Sequence, residues 1–158
     1  MRVGIAGYGV VGKTRHTSIK KNTPFQVTSV SDSSPNAQKD IPSGIEIFDT
    51  YQALIRDAEI DIIFISLPNK FAAEAVSLSL ERGLHVFCEK PPAKTLAELM
   101  EVKNISRKQP HLKLMYGFNH RHHDSVKDAL QIIKSGELGN IINLRGVYGK
   151  SKLVTFNQ

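Results

Sequence analysis

The sequence predicts a doubly wound, parallel α/β sheet followed by the opening of a second domain. Three observations predict it. Over the first 120 residues, short β-branched runs alternate with helical patterns. A glycine-rich turn follows the first of those runs at once. Beyond Asn119 the alternation stops, and an amphipathic helix takes its place.

Val3 to Ala6 reads as a buried strand, then a glycine turn and a helix to about Asn22. Phe25 to Ser31 is a second strand and Gly44 to Phe48 a weaker third, before a short helix at Tyr51 to Arg56. Ile60 to Leu67 is a β-branched, mainly apolar run, suited to a strand covered on both faces. Phe71 to Arg82 follows as a helix, with Gly83 placed for a left-handed cap, and Leu84 to Cys88 returns to strand. Thr95 and Glu98 form a T-x-x-E capping box, with Leu96, Leu99 and Met100 as the apolar face of the next helix. Leu112 to Phe118 is the sixth strand. Val126, Ala129, Leu130 and Ile133 then mark a helix ended by Gly136, and Asn140 to Tyr148 reads as a strand. The expected division is residues 1–120 as one domain and 121–158 as the incomplete start of an α+β second domain.

Composition narrows the function classes. With 41% hydrophobic and 23% charged residues the chain fits a soluble globular protein, and no run approaches the roughly 20 apolar residues of a membrane span. The N-terminus lacks a signal-peptide pattern, and one cysteine makes no internal disulfide, so a cytoplasmic location is expected. The net charge of +6 comes from Lys and Arg scattered among acids, without the basic run or aromatic platform of a nucleic-acid binder. Lys13, Arg15, Lys20 and Lys21 cluster in the first helix; solvated basic surface accounts for them.

Gly7-Tyr8-Gly9-Val10-Val11-Gly12 matches G-x-G-x-x-G between a strand and a helix, the setting that gives an otherwise weak pattern its meaning. Gly7 allows the tight turn, Gly9 lets backbone approach a diphosphate, and Gly12 lets helix pack on strand; the helix N-terminus holds the anion. Asp32 lies 20 residues past Gly12 at the end of the second strand, where a carboxylate accepts from the adenosine ribose of a dinucleotide. Asp-Ser-Ser-Pro is also good turn material. A carboxylate there repels a 2′-phosphate, so NAD is expected over NADP; Ser33 and Ser34 leave NADP possible if Asp32 swings away. This is a Rossmann-type dinucleotide site. S-adenosylmethionine enzymes also combine a glycine loop with such an acid, and a methyltransferase is one alternative.

Ile65-Ser66-Leu67-Pro68-Asn69 and His85-Val86-Phe87-Cys88-Glu89-Lys90-Pro91, with the glycine loop, Asp32, Tyr116-Gly117-Phe118-Asn119 and Ser135-Gly136-Glu137-Leu138-Gly139, closely resemble the Gfo/Idh/MocA family over the whole chain. The resemblance implies an NAD(P)-dependent dehydrogenase or reductase acting on a carbinol carbon of a sugar, nucleotide-sugar or cyclitol. It implies that Lys90 is catalytic, donating to a substrate hydroxyl, and that Leu67, Pro68, Asn69 and Glu89 join the cofactor site. Glu89-Lys90-Pro91 follows a strand's C-terminal end, where open α/β sheets place ligands. Pro91 also restricts the Lys90 backbone. Related sequences usually carry His three residues after Asn69; here the residue is Ala72.

His120-Arg121-His122-His123-Asp124 offers metal-ligating side chains, but the spacing fits no zinc motif and adjacent residues cannot all point inward. No metal is expected. The resemblance makes this stretch a substrate-side wall, with Asn119 and Arg121 toward the substrate; plain surface or an interface is the other reading. It also places the proton-relay His and the subunit interface beyond Gln158, so the full-length protein is expected to be a homo-oligomer and these 158 residues alone to bind dinucleotide without turnover. A non-catalytic dinucleotide-binding regulatory module is the other alternative. Cys88 is expected as a buried hydrophobe, and His16 and His85 as structural residues without evident partners.

Overall fold

The computed structural model describes residues 1–147 and 149. The chain divides into two compact units, Met1–Phe118 and Asn119–Gln158. The first unit holds β1 (Arg2–Ala6), α1 (Val10–Asn22), β2 (Gln26–Ser31), α2 (Pro35–Gln38), β3 (Glu46–Phe48), α3 (Tyr51–Asp57), β4 (Ile62–Ile65), α4 (Asn69–Glu81), β5 (His85–Cys88), α5 (Leu96–Lys108) and β6 (Leu114–Tyr116). The strands form one parallel sheet in the order β3-β2-β1-β4-β5-β6.

Alternation along each strand builds two cores. Val3, Ile5 and Val30 face one side with Tyr8 and Ile19, while Ile63, Ile65, Val86 and Cys88 face the other with Leu54, Val76, Leu80 and Val102. Each fully buried Ile or Leu contributes about 1.5–3 kcal/mol, so β1 and β4 are the best-anchored strands. They are also neighbours between which the order of strands reverses, and ligands of such sheets bind outside that reversal.

Helix ends follow local chemistry. The Thr50 hydroxyl accepts from Ala53 N at 3.1 Å and opens α3. Thr95 Oγ1 accepts from Glu98 N at 3.2 Å, but Glu98 accepts from Lys94 N rather than Thr95 N, so the capping box closes one residue early. Gly83, at φ +89°, ends α4 as expected.

Three expectations change. The turn after Asp32 contains the short α2, begun by Pro35 at its first position. On α5 the residues packed on the core are Val102 and Ile105, whereas Leu96 and Met100 are exposed and Leu99 is only partly buried. The row that meets the core, Glu98, Glu101, Val102 and Ile105, lies round the helix from the predicted stripe. Finally, residues 140–147 form no strand; a strand needs a ladder partner and none lies beside them among the described residues. Tyr148, the last residue of that expected strand, lies outside the described residues.

The second unit comprises a 3₁₀ turn (Asn119–His122) and α6 (Asp124–Ser135), closed by Gly136 at φ +78°. Val126, Leu130 and Ile132 are exposed on α6, which buries no residue.

Candidate functional site

The glycine loop leaves β1 and turns into α1. Gly7 has φ +87°, and a Cβ there would lie 2.7 Å from the Ser66 carbonyl oxygen. A Cβ on Gly12 would lie 2.1 Å from the Gly7 carbonyl oxygen, so α1 starts against the loop only because Gly12 has no side chain. Gly9 differs: a Cβ on it would meet nothing within 4 Å. Gly9 caps α1 without a side-chain hydrogen bond, and no acid stands in the first turn. Backbone donors and the positive end of the helix dipole therefore face open space beside Gly9. Val10 and Val11 are exposed on that turn.

Asp32 is fixed by two backbone donors: Tyr8 N at 2.7 Å to Oδ2 and Ser34 N at 2.8 Å to Oδ1. Each carboxylate oxygen keeps a free lone-pair direction for a further donor. Swinging Asp32 aside would break both charge-assisted bonds and strand Tyr8 N. Beside it lies a cavity of about 320 Å³ whose lining includes Ser31, Asp32, Ser33, Leu67, Pro68 and Phe71. The structure thus brings the acid after β2 and the Leu-Pro turn after β4 to one hollow. Asn69 opens α4 and is exposed, outside that lining. The Ser31 and Ser66 hydroxyls, buried at the ends of the same two strands, have no hydrogen-bond partner among the described residues.

Tyr8 enters the site through its backbone alone. Its ring is buried, 3% exposed, and its hydroxyl shares a 2.6 Å hydrogen bond with His16 Nδ1. Burial, then the Asp40 charge, pushes the phenol above its usual range; burial, then Lys20, pushes His16 below its own. His16 therefore has a partner, as does His85, whose Nδ1 accepts from Lys113 N at 3.1 Å.

At the end of β5 the two neighbours Glu89 and Lys90 part ways. Glu89 Oε1 accepts from Arg15 Nε at 2.7 Å and from Arg15 Nη2. The guanidinium lies 5.0 Å from the Phe87 ring centroid, and the Glu89 side chain is 16% exposed. A Cβ on Gly117 would lie 2.9 Å from Glu89 Oε2. Lys90 is exposed and joined to Pro91 through a cis peptide. Arg15, Phe87 and Gly117 were not legible as site residues: the Arg15–Glu89 contact spans 74 residues, and nothing in local spacing signals it.

Cys88 is buried beneath this corner, its thiol pushed up to about 12 by burial and by Glu89. Tyr116, paired with Cys88 across the ladder, is pushed to about 12 by burial, then by Cys88. Asn119 and Arg121 lie in the second unit, on the exposed 3₁₀ turn. His120 and His123 have ring centroids 4.9 Å apart, and no group of three or more metal-binding side chains is assembled among the described residues. Among them, no helix is long and apolar enough to cross a membrane.

The residues present fit a dinucleotide: an open helix start at Gly9 for the diphosphate, and a fixed carboxylate over a hollow for a ribose and its base. Comparison with known proteins agrees. The model of an oxidoreductase family with an NAD-binding Rossmann fold, Gfo/Idh/MocA, matches residues 1–118. The chain is 30% identical over 145 residues to D-glucoside 3-dehydrogenase of Escherichia coli (strain K12), covering 89% of this chain and 41% of that protein. It is 28% identical over 142 residues to a D-xylose 1-dehydrogenase (NADP(+)) of Haloferax volcanii, covering 90% and 43%. Scyllo-inositol dehydrogenase of Lactobacillus casei, solved with bound NAD(H) and scyllo-inositol, superposes with a TM-score of 0.79 at 27% identity, over 89% of this chain and 42% of that one. The chain therefore spans less than half the length of these relatives. With its matching strand order, glycine loop and family model, the chain belongs to the Gfo/Idh/MocA oxidoreductase family and carries its NAD-binding Rossmann fold.

Proposed function

We propose that this chain is the NAD-binding part of a dehydrogenase or reductase acting on a carbinol carbon of a sugar, nucleotide-sugar or cyclitol. The observation that supports it most is the pairing of an open Gly9 with a doubly held Asp32 across one strand crevice. In this reading Gly7 to Gly12 receive the diphosphate through backbone N–H groups, and Asp32 with Ser33 accepts the adenosine ribose hydroxyls. Leu67 and Pro68 wall the hollow beside them, with Asn69 next along the rim. The nicotinamide ring, when bound, supplies the acceptor or donor of hydride. The Lys90 ammonium donates a hydrogen bond to the substrate hydroxyl and stabilises negative charge there as the hydroxyl proton passes to the relay histidine that the second domain is read to supply. The intact Glu89-Lys90-Pro91 favours this enzymatic role over a purely regulatory one.

Residues 119–158 are read as the opening of a domain that contacts substrate, through Asn119 and Arg121, and other subunits; the exposed apolar residues of α6 support that reading. The buried thiol accords with a cytoplasmic protein.

Calorimetric titration of this chain with NADH and NADPH tests the cofactor assignment. NADH is expected to bind at least about ten-fold tighter, since a 2′-phosphate would face a carboxylate held in place. Equal or tighter NADPH binding defeats the preference, and absence of binding by either defeats the assignment. In a protein that includes the complete second domain, Lys90→Ala is expected to lower kcat on the order of 10²-fold while NADH affinity holds. Unchanged turnover removes Lys90 from the chemistry.

A further inference from the structure

Glu89 precedes Lys90 directly, so along the chain it is the carboxylate nearest the Lys90 ammonium. A carboxylate with no other partner at that place is the counter-charge that, one residue away, competes most directly for the lysine that must meet the substrate in the proposed reaction. The structure holds it elsewhere. Arg15 reaches across from α1 and engages Oε1 with two donors, an arrangement stronger than a neutral hydrogen bond and fixed in direction. Phe87 lies under the guanidinium, and the absence of a side chain on Gly117 leaves room for Oε2 on the far side. The pair is largely withdrawn from water, with Arg15 30% and Glu89 16% exposed, whereas Lys90 is exposed.

We infer that Arg15 is a positioning residue: it captures the Glu89 carboxylate and so keeps the neighbouring Lys90 ammonium unpaired and open to substrate. The functional value of this rests on the proposed role of Lys90; the capture itself does not. Arg15 stands one turn beyond the glycine loop, so the helix that starts at the dinucleotide also holds the carboxylate away from Lys90.

Competitive amine acetylation of this chain, read per lysine by peptide mass spectrometry with exposed Lys103 as internal reference, tests the inference without any turnover. Arg15→Met should release Glu89 toward Lys90 and slow Lys90 acetylation about three-fold, the scale of a partly exposed ion pair. Glu89→Gln should not slow it, and Arg15→Met combined with Glu89→Gln should return Lys90 to the wild-type rate. Arg15→Gln, which keeps donors but not the charge, should slow it about two-fold and serves if the Met variant does not fold by circular dichroism. An unchanged Lys90 rate in a folded Arg15 variant overturns the inference, as does a double variant as slow as the single. Loss of fold in both variants, not relieved by Glu89→Gln, also overturns it by making Arg15 a residue of stability alone. If Lys90→Ala proves catalytically silent, the acetylation rates of the Arg15 and Glu89 variants still follow the pattern above, so the two failures look different.

Discussion

The two rims of the strand crevice are built by different means. At the β1–β2 rim the work is done by backbone: Gly7 and Gly12 shape the turn, Gly9 leaves space in front of it, and Asp32 is held by two main-chain N–H groups. At the β5 rim it is done by side chains that meet only after folding, Arg15 and Glu89, over a space that Gly117 leaves open. The first rim is specified within one βαβ unit. The second depends on how α1 lies against β5. A motif can therefore announce the first in full and only half of the second.

The largest effect that would sharpen this contrast is expected at Gly12. Its Cβ would press on a backbone oxygen that cannot move without undoing the turn, so Gly12→Ala should cost about 3 kcal/mol and remove NADH binding. Urea denaturation and calorimetry read both; a stable variant that still binds would show that the loop yields. Gly9→Ala is the next test. The added methyl meets no protein atom, and stability should shift by no more than about 0.5 kcal/mol, while NADH affinity falls about ten-fold because the methyl stands where a diphosphate would approach. Undiminished affinity would mean the ligand lies elsewhere.

The smallest effect concerns the Tyr8–His16 pair under the same loop. Burial and Lys20 hold His16 below the ordinary value of 6.5, so the folded state favours the neutral ring. Its contribution is complete above pH 6.5, where the unfolded histidine is also neutral, and is lost as pH falls below it and the unfolded chain takes up the proton. Melts at about pH 7.5 and about pH 5.5 should show a larger loss for the wild type than for His16→Gln; equal losses would remove His16 as the source.

Much of this architecture could be read from residue order. Strand and helix order followed from β-branched runs and caps, and Gly83 and Thr95 stand where helix-end chemistry requires them. Asp32 was legible because its distance from Gly12 is a local length along one unit. Contact at a distance is not legible: Arg15 reads as one more solvated cation, Tyr8 is a variable position of the glycine motif although its ring is core, and His16 reads as unpartnered. Amphipathic pattern has the same limit. On α5 it suggests Leu96, Leu99 and Met100, yet only Leu99 is even partly buried and the core takes Val102 and Ile105, since apolar spacing over one turn does not fix which side of the helix is covered. On α6 the stripe is clear and nothing on it is buried; residues 140–147, apolar enough for a strand, have no neighbour to pair with among the described residues.

The sulfur beneath the β5 corner has a practical corollary. The sequence contains one cysteine, and with its thiol near 12 only a trace is thiolate at neutral pH, so maleimides and mild oxidants meet an unreactive group behind a closed surface. A second cysteine placed on an outer helix face would then take a fluorophore alone, giving a single-site optical reporter on the wild-type background without first deleting the native residue.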